Sequence, residues 1–124
     1  MSERPRRPGS HELLAEVLDE GSFVSWDQAP LEVAPPGSTY AAELAAAAER
    51  AGTDESIITG EGRIHGHRVA VIVGEFTFLA GSIGRAAAER VTLAFERATR
   101  ERVPLFAAPA SGGTRMQEGT PAFV

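Results

Sequence analysis

Apolar positions along the chain first follow a helical rhythm. In HELLAEVLDEG, Leu13, Leu14, Val17 and Leu18 share one face at three- and four-residue spacing, with Ser10 at the N-cap position and Gly21 as a candidate C-cap. SFVSWDQAPLEVAPPG alternates only weakly and closes on Pro35, Pro36 and Gly37, which predicts an extended, loop-rich connection with Trp26 as a packing anchor. The alanine-rich run from Tyr40 to Ala51 predicts a helix ended by Gly52. The period then changes. Two β-branched runs flank His65-Gly66-His67 and predict a hairpin, its second run, Val69 to Val73, apolar enough to be covered on both faces. Past LAGSIG, the residues Ile83, Ala87, Val91, Phe95 and Ala98 predict a helix that covers a sheet, with Arg85, Glu89, Arg97 and Arg100 outside the stripe. VPLFAAP reads as a short buried strand with Pro104 near its start. Strand, helix and strand in that order make a crossover with a parallel pair, so the fold class is α/β. Residues 1–9 are polar and proline-rich, an expected disordered leader, which leaves 10–124 as the domain.

Composition narrows the chemistry. With 124 residues, of which 43% are hydrophobic, the chain suits one small domain. A net charge of -5 disfavours nucleic acid as a partner. No cysteine is present, so disulfides, thiol nucleophiles and Cys-based metal sites are excluded. All 12 basic residues are arginine, which removes a Walker phosphate loop and any lysine base or Schiff base. No apolar stretch approaches the roughly 20 residues a membrane helix needs, and a cytoplasmic protein is expected.

Candidate chemistry concentrates at two glycine turns. Ala110-Ser111-Gly112-Gly113-Thr114-Arg115 follows a predicted parallel strand and opens a predicted helix, the place where open α/β sheets set their ligands. Backbone amides there suit a developing oxyanion; a ligand-free strand-to-helix turn is the alternative. Ser111 lacks the G-x-S-x-G elbow and a nearby histidine, which speaks against a nucleophile. Gly81-Ser82-Ile83-Gly84 repeats the arrangement one unit earlier, with Ser82 as an N-cap and free amides for a phosphate or second backbone contact; simple helix capping is the plainer alternative. His65 and His67 share a turn without an evident third metal ligand. Arg115, Gln117 and Glu118 are placed to brace the Gly-Gly loop or merely to solvate a helix face.

The string SGGTRMQEG (Ser111 to Gly119) resembles the SGGAR-x-QEG signature of biotin-dependent carboxyltransferases, particularly the beta subunit of bacterial acetyl-CoA carboxylase. LDEGSFVSWD, then GEGRIHGHRVAVIVGEFTFLAGSIG with its F-x-G-G-S-x-G-like turn, then AAAERVTLAFERA follow the family's order, so the resemblance spans roughly residues 11 to 124. It implies a crotonase-like ββα spiral, of which this chain is an incomplete, N-terminal part. It also implies transfer of a carboxyl group from carboxybiotin, borne on a biotin carboxyl carrier protein, to acetyl-CoA, giving malonyl-CoA for fatty acid synthesis. Gly112 and Gly113 match the amides of the enolate oxyanion hole, and Gly81, Ser82, Gly84, Ser111 and Arg115 are the expected substrate-binding residues. Further implied partners are a second carboxyltransferase half or alpha subunit, within an oligomer. Thr114 stands for the usual alanine and Ala80 for a glycine, both small. The four-cysteine zinc ribbon of many beta subunits is absent, and no metal is implied. The family's later ββα turns and second glycine-rich loop lie outside these residues, so the isolated 124 residues are expected to be inactive. A non-catalytic acyl-CoA or subunit-binding module, or another crotonase-type acyl-CoA enzyme, are the competing expectations.

Overall fold

The computed structural model describes residues 9–30, 34–109, 115 and 118. Its elements are α1 (Ser10–Val17), β1 (Val24–Ser25), α2 (Thr39–Ala51), β2 (Ile57–Ile64), β3 (His67–Gly74), a 3-10 turn (Leu79–Gly81), α3 (Arg85–Glu101) and β4 (Leu105–Ala108). The expected leader, residues 1–8 of it, lies outside the described residues, as do the Gly-Gly loop from 110 to 114 and, apart from Arg115 and Glu118, the helix expected after it.

Four strands form one sheet in the order β1-β2-β3-β4. β2 and β3 pair antiparallel from Ile57↔Gly74 to Ile64↔His67, and β3 and β4 pair parallel from Ala70↔Leu105 to Val73↔Ala108. The hairpin closes in two residues, His65 and Gly66, whose φ values of 50° and 80° suit the strand twist at a tight turn. Asp19 locks that turn by accepting from the amides of both residues, at 3.0 and 2.7 Å.

The apolar run of β3 splits by parity. Val69, Val71 and Val73 meet Leu14 and Leu18 of the α1 side on one face. On the other face Ile72 and Ile57 meet Ala87 and Ala94 of α3, with Trp26 and Leu105 beside them. The sheet is therefore covered on both sides, as a strand with no polar alternation requires. Each buried aliphatic side chain contributes about 1.5–3 kcal/mol of transfer free energy. Gly60 is needed where β1 pairs antiparallel with β2, since a Cβ there would sit 2.4 Å from the Val24 carbonyl oxygen.

Three expectations are revised. α3 buries Ala86, Ala87, Arg90, Ala94 and Ala98, while Phe95 is 50% exposed; the inner face is built from small residues that let the helix approach the sheet. Arg90 is buried because it donates to the Ile57 carbonyl (2.8 Å), to the Gln28 carbonyl (2.9 Å) and to Asp54 (2.9 Å), with Asp27 3.6 Å away. Neither Ser10 nor Ser82 is an N-cap. Gly9 and Gly84 hold those positions without a side-chain cap, because distant carboxylates satisfy the helix starts instead. α1 also stops before Gly21: its C-cap is Leu18, whose backbone is extended, and Gly21 serves a later turn with φ 70°.

Candidate functional site

Arg115, which follows the Gly-Gly pair in the sequence, packs against the first glycine turn. Arg115 has no exposed surface, and its backbone amide donates to the Ile83 carbonyl at 2.9 Å, inside the Gly81–Gly84 turn. Its Nε donates to Ser82 Oγ (3.1 Å). Nη1 reaches Glu55 Oε2 (3.0 Å) and Tyr40 Oη (3.3 Å); Nη2 reaches Glu55 Oε1, Ser56 Oγ (3.2 Å) and the Ser82 carbonyl (2.8 Å). A guanidinium carries five N–H donors, and here all five have acceptors within the protein. Arg115 thus holds protein groups and presents no free donor to a ligand. The Phe78 ring lies 5.5 Å from its central carbon and closes the cluster on the apolar side. Burial alone would lower the Arg115 pKa; hydrogen bonds to Glu55 and Tyr40 outweigh it, and the pKa is raised.

Glu118 completes the assembly. Its Oε1 accepts from the Arg85 amide at 2.6 Å, and its Oε2 accepts from Tyr40 Oη at 2.5 Å. The negative charge sits at the first amide of α3, where the helix dipole favours it. Burial, then donation to Glu118, pushes the Tyr40 pKa up to about 12, so its hydroxyl remains a donor. Gly84 allows this close approach, for a Cβ there would fall 2.1 Å from Glu118 Oε2. The helix-terminal amide expected to be free for a phosphate is in this way occupied by the chain's own carboxylate.

The turn before α3 is strained. Leu79, Ala80 and Gly81 take φ of 46°, 55° and 70° in succession, a left-handed stretch that disfavours the first two residue types. Ala80, which the sequence treats as a harmless replacement of glycine, therefore occupies a position where glycine fits better.

Of the expected site residues, Ser82, Gly84 and Arg115 meet in this cluster, and Gly81 adjoins it. Ser111, Gly112 and Gly113 lie outside the described residues, as does Gln117. Their neighbours are placed: β4 ends at Ala108, paired with Val73, and Arg115 is fixed at the far side. Sequence reasoning did not single out Glu55, Ser56 or Tyr40, which supply most of the cluster's acceptors. His65 and His67 join no potential metal-holding group among the described residues. Neither does any described helix have the length and apolarity to cross a membrane.

A hairpin, a strained glycine turn, a covering helix and a parallel strand define a crotonase-like α/β unit. The transcarboxylase 12S structure with methylmalonyl-coenzyme A shares this arrangement at a TM-score of 0.71 and 25% identity, over 93% of this chain and 21% of that one. The beta subunit of P. aeruginosa geranyl-CoA carboxylase, at 20% identity and a TM-score of 0.67, has the same fold over 94% of this chain and 20% of its own. Residues 16–124 match the carboxyl transferase domain, and the chain belongs to that family. It is 67% identical over 108 residues to the probable biotin-dependent acyl-coenzyme A carboxylase beta3 subunit of Mycobacterium tuberculosis, covering 87% of this chain and 22% of that protein. Identity is 42% over 113 residues to the acetyl-coenzyme A carboxylase carboxyl transferase subunit beta 1 of Roseiflexus castenholzii, covering 87% of this chain and 38% of that protein. The chain therefore spans about a fifth of the length of its mycobacterial relative.

Proposed function

We propose that the chain forms the acyl-CoA side of a biotin-dependent acyl-CoA carboxyltransferase, with acetyl-CoA as the acceptor and malonyl-CoA as the product. The observation that supports this reading is the Arg115 cluster, in which the arginine that follows the Gly-Gly pair in the sequence is buried against the turn before α3. In this reading the amides of Gly112 and Gly113 donate to the thioester oxygen as the α carbon becomes an enolate. Each such donor is worth about 3–4 kcal/mol of transition-state stabilisation. Carboxybiotin arrives as a substrate on a separate carrier protein and supplies both the carboxyl group and, after releasing it, the base for the α proton. A chain without lysine or cysteine suits that division of labour, since its own role is to orient the thioester and to stabilise the oxyanion. The biotin side is assigned to a partner half or alpha subunit in an oligomer, as part of cytoplasmic fatty acid synthesis.

The test uses the full-length protein and follows acyl-CoA carboxylation from carboxybiotin, with acetyl-CoA compared against longer acyl-CoAs. Gly113→Val is expected to lower turnover about 100- to 1000-fold while acyl-CoA binding changes little. Ser111→Ala is expected to keep substantial activity, because no acyl-enzyme forms. Near-normal turnover in Gly113→Val would refute the oxyanion role, and absence of transfer by the wild type would refute the whole reading. The 124 residues alone are expected to bring no turnover.

A further inference from the structure

We propose that the outer face of α3 docks a second copy of the chain, antiparallel about a twofold axis, with Leu93 as the apolar centre and Glu89 and Arg100 as the matching charges. At 3.6 residues per turn, Glu89, Leu93, Glu96 and Arg100 fall within an arc of about 60° on α3, on the side away from the buried Ala87 and Ala98. Leu93 is 53% exposed, a large apolar side chain left uncovered on a helix whose other side closes the sheet. Beside it runs a groove of about 350 Å³ between α3 and residues 26–30, walled by Trp26, Ala29, Pro30 and Ala94. The Arg97 guanidinium lies 4.3 Å from the centre of the Trp26 ring and holds that wall against α3. One copy thus offers both a knob and a hole, which is what a contact requires when two copies use the same patch.

The charges set the direction. Glu89 and Arg100 are exposed, and neither has a hydrogen-bond or ion-pair partner among the described residues. They stand about 16 Å apart along the helix axis, with Leu93 between them. In a parallel pair each of these charges would face its own kind, an arrangement that like-charge repulsion suppresses. An antiparallel pair centred between Ala94 and Phe95 sets each Glu89 against the second copy's Arg100. It also brings the two Leu93 side chains within one helical turn of each other, each next to the other copy's groove. Glu96 stands at the rim of the arc, where its carboxylate keeps water. Because this patch carries both signs and both shapes in this order, its complement is a second copy of itself.

The experiment uses the full-length protein and reads assembly mass by sedimentation velocity, with circular dichroism as the control for folding. Glu89→Arg makes both ends of the patch positive and Arg100→Glu makes both negative, so each variant repels its own kind. Mixed in equal amounts, the two variants again join opposite charges at both contacts. The expected result is a lower mass than wild type for each variant alone, its dissociation constant raised about 10- to 100-fold, and wild-type mass for the mixture. Leu93→Asp should lower the mass in the same way and should not be rescued by either charge variant. Should one charge variant fail to fold, the other and Leu93→Asp still decide the matter. Wild-type mass in the folded variants would overturn the proposal. So would a mixture no heavier than its components, the behaviour of a patch covered by another part of its own chain, since such a cover is indifferent to mixing.

Discussion

Gly84→Ala probes the packing of the two turns with a single methyl group. The backbone at Gly84 has φ -110° and ψ -169°, which alanine adopts freely, so no conformational strain enters. The new Cβ would lie 2.1 Å from Glu118 Oε2, 2.7 Å from its Cδ and 3.1 Å from Arg115 Nη1. A free surface carboxylate would swing away at little cost, but this one is held by the Arg85 amide and the Tyr40 hydroxyl. Losing one charge-assisted hydrogen bond costs about 1.5–3 kcal/mol, and disturbing both exceeds that. Against this stands a gain of about 0.4–1 kcal/mol from the smaller conformational freedom of alanine in the unfolded chain. The net expectation is a destabilisation of about 2–3 kcal/mol in urea unfolding of the protein. A double-mutant cycle separates the cause. In a Glu118→Ala background the clash is gone, and Gly84→Ala should then be neutral or slightly stabilising. Equal costs in the two backgrounds would refute the packing of Glu118 against Gly84.

Ala80→Gly should stabilise the protein by about 1 kcal/mol, because residue 80 has φ 55° and glycine adopts the left-handed region without a Cβ penalty; unchanged thermal unfolding would count against the strained turn. Arg90→Met should cost about 3 kcal/mol, since it strips the half-buried Asp27 of its cation and leaves the Ile57 carbonyl without that donor, and a loss below about 1 kcal/mol by urea unfolding would show the cluster to be dispensable. Glu75 is pushed up by burial but more strongly held down by the Ser10 amide and hydroxyl and the Thr77 hydroxyl, so its pKa lies below the usual 4.5. A lowered carboxylate adds stability that is fully present above the ordinary value of 4.5 and disappears as pH falls through the folded-state value. Glu75→Gln should therefore lower the unfolding midpoint at neutral pH, with the gap to wild type closing as pH falls from 4.5 through the lower folded-state value, and a pH-independent gap between the two would contradict the linkage.

The elements that the sequence revealed are those whose causes are local. His65-Gly66 between two β-branched runs names its own turn, Gly52 with φ 71° ends α2 where expected, and the apolar run of β3 declares a doubly covered strand. The phase of α3 read from the sequence is slightly off, because periodicity weighs Phe95 as core and ignores Arg90. Burial of Arg90 depends on Asp27 and Asp54, 63 and 36 residues upstream, and nothing in the helix itself announces them. The same holds for Arg115, whose partner Glu55 is 60 residues away; the motif around Arg115 marks it as important without saying what it touches.

Capping shows the physical reason most clearly. A serine just before an apolar run is read as an N-cap because a hydroxyl near the first turn saves an amide from being unpaired. α2 obeys that rule, Ser38 Oγ accepting from the Ala41 amide at 3.1 Å, but at α1 and α3 the acceptors are carboxylates from elsewhere in the chain. Glu75 Oε1 accepts from the Ser10 amide at 2.9 Å, and Glu118 Oε1 accepts from the Arg85 amide at 2.6 Å. Local capping rules fail where tertiary structure delivers a stronger acceptor, since a full negative charge at a helix start gains from the dipole as well as from the hydrogen bond. The exchange of a local hydroxyl for a distant carboxylate also bears on function. With Glu118 seated on the first amide of α3 and the Arg115 amide on the Ile83 carbonyl, the polar groups of the turn at Gly81–Gly84 are engaged by the chain's own residues. An anionic ligand then finds no free amide at Arg85, and under the function proposed above the substitution expected to cost the most turnover is Gly113→Val.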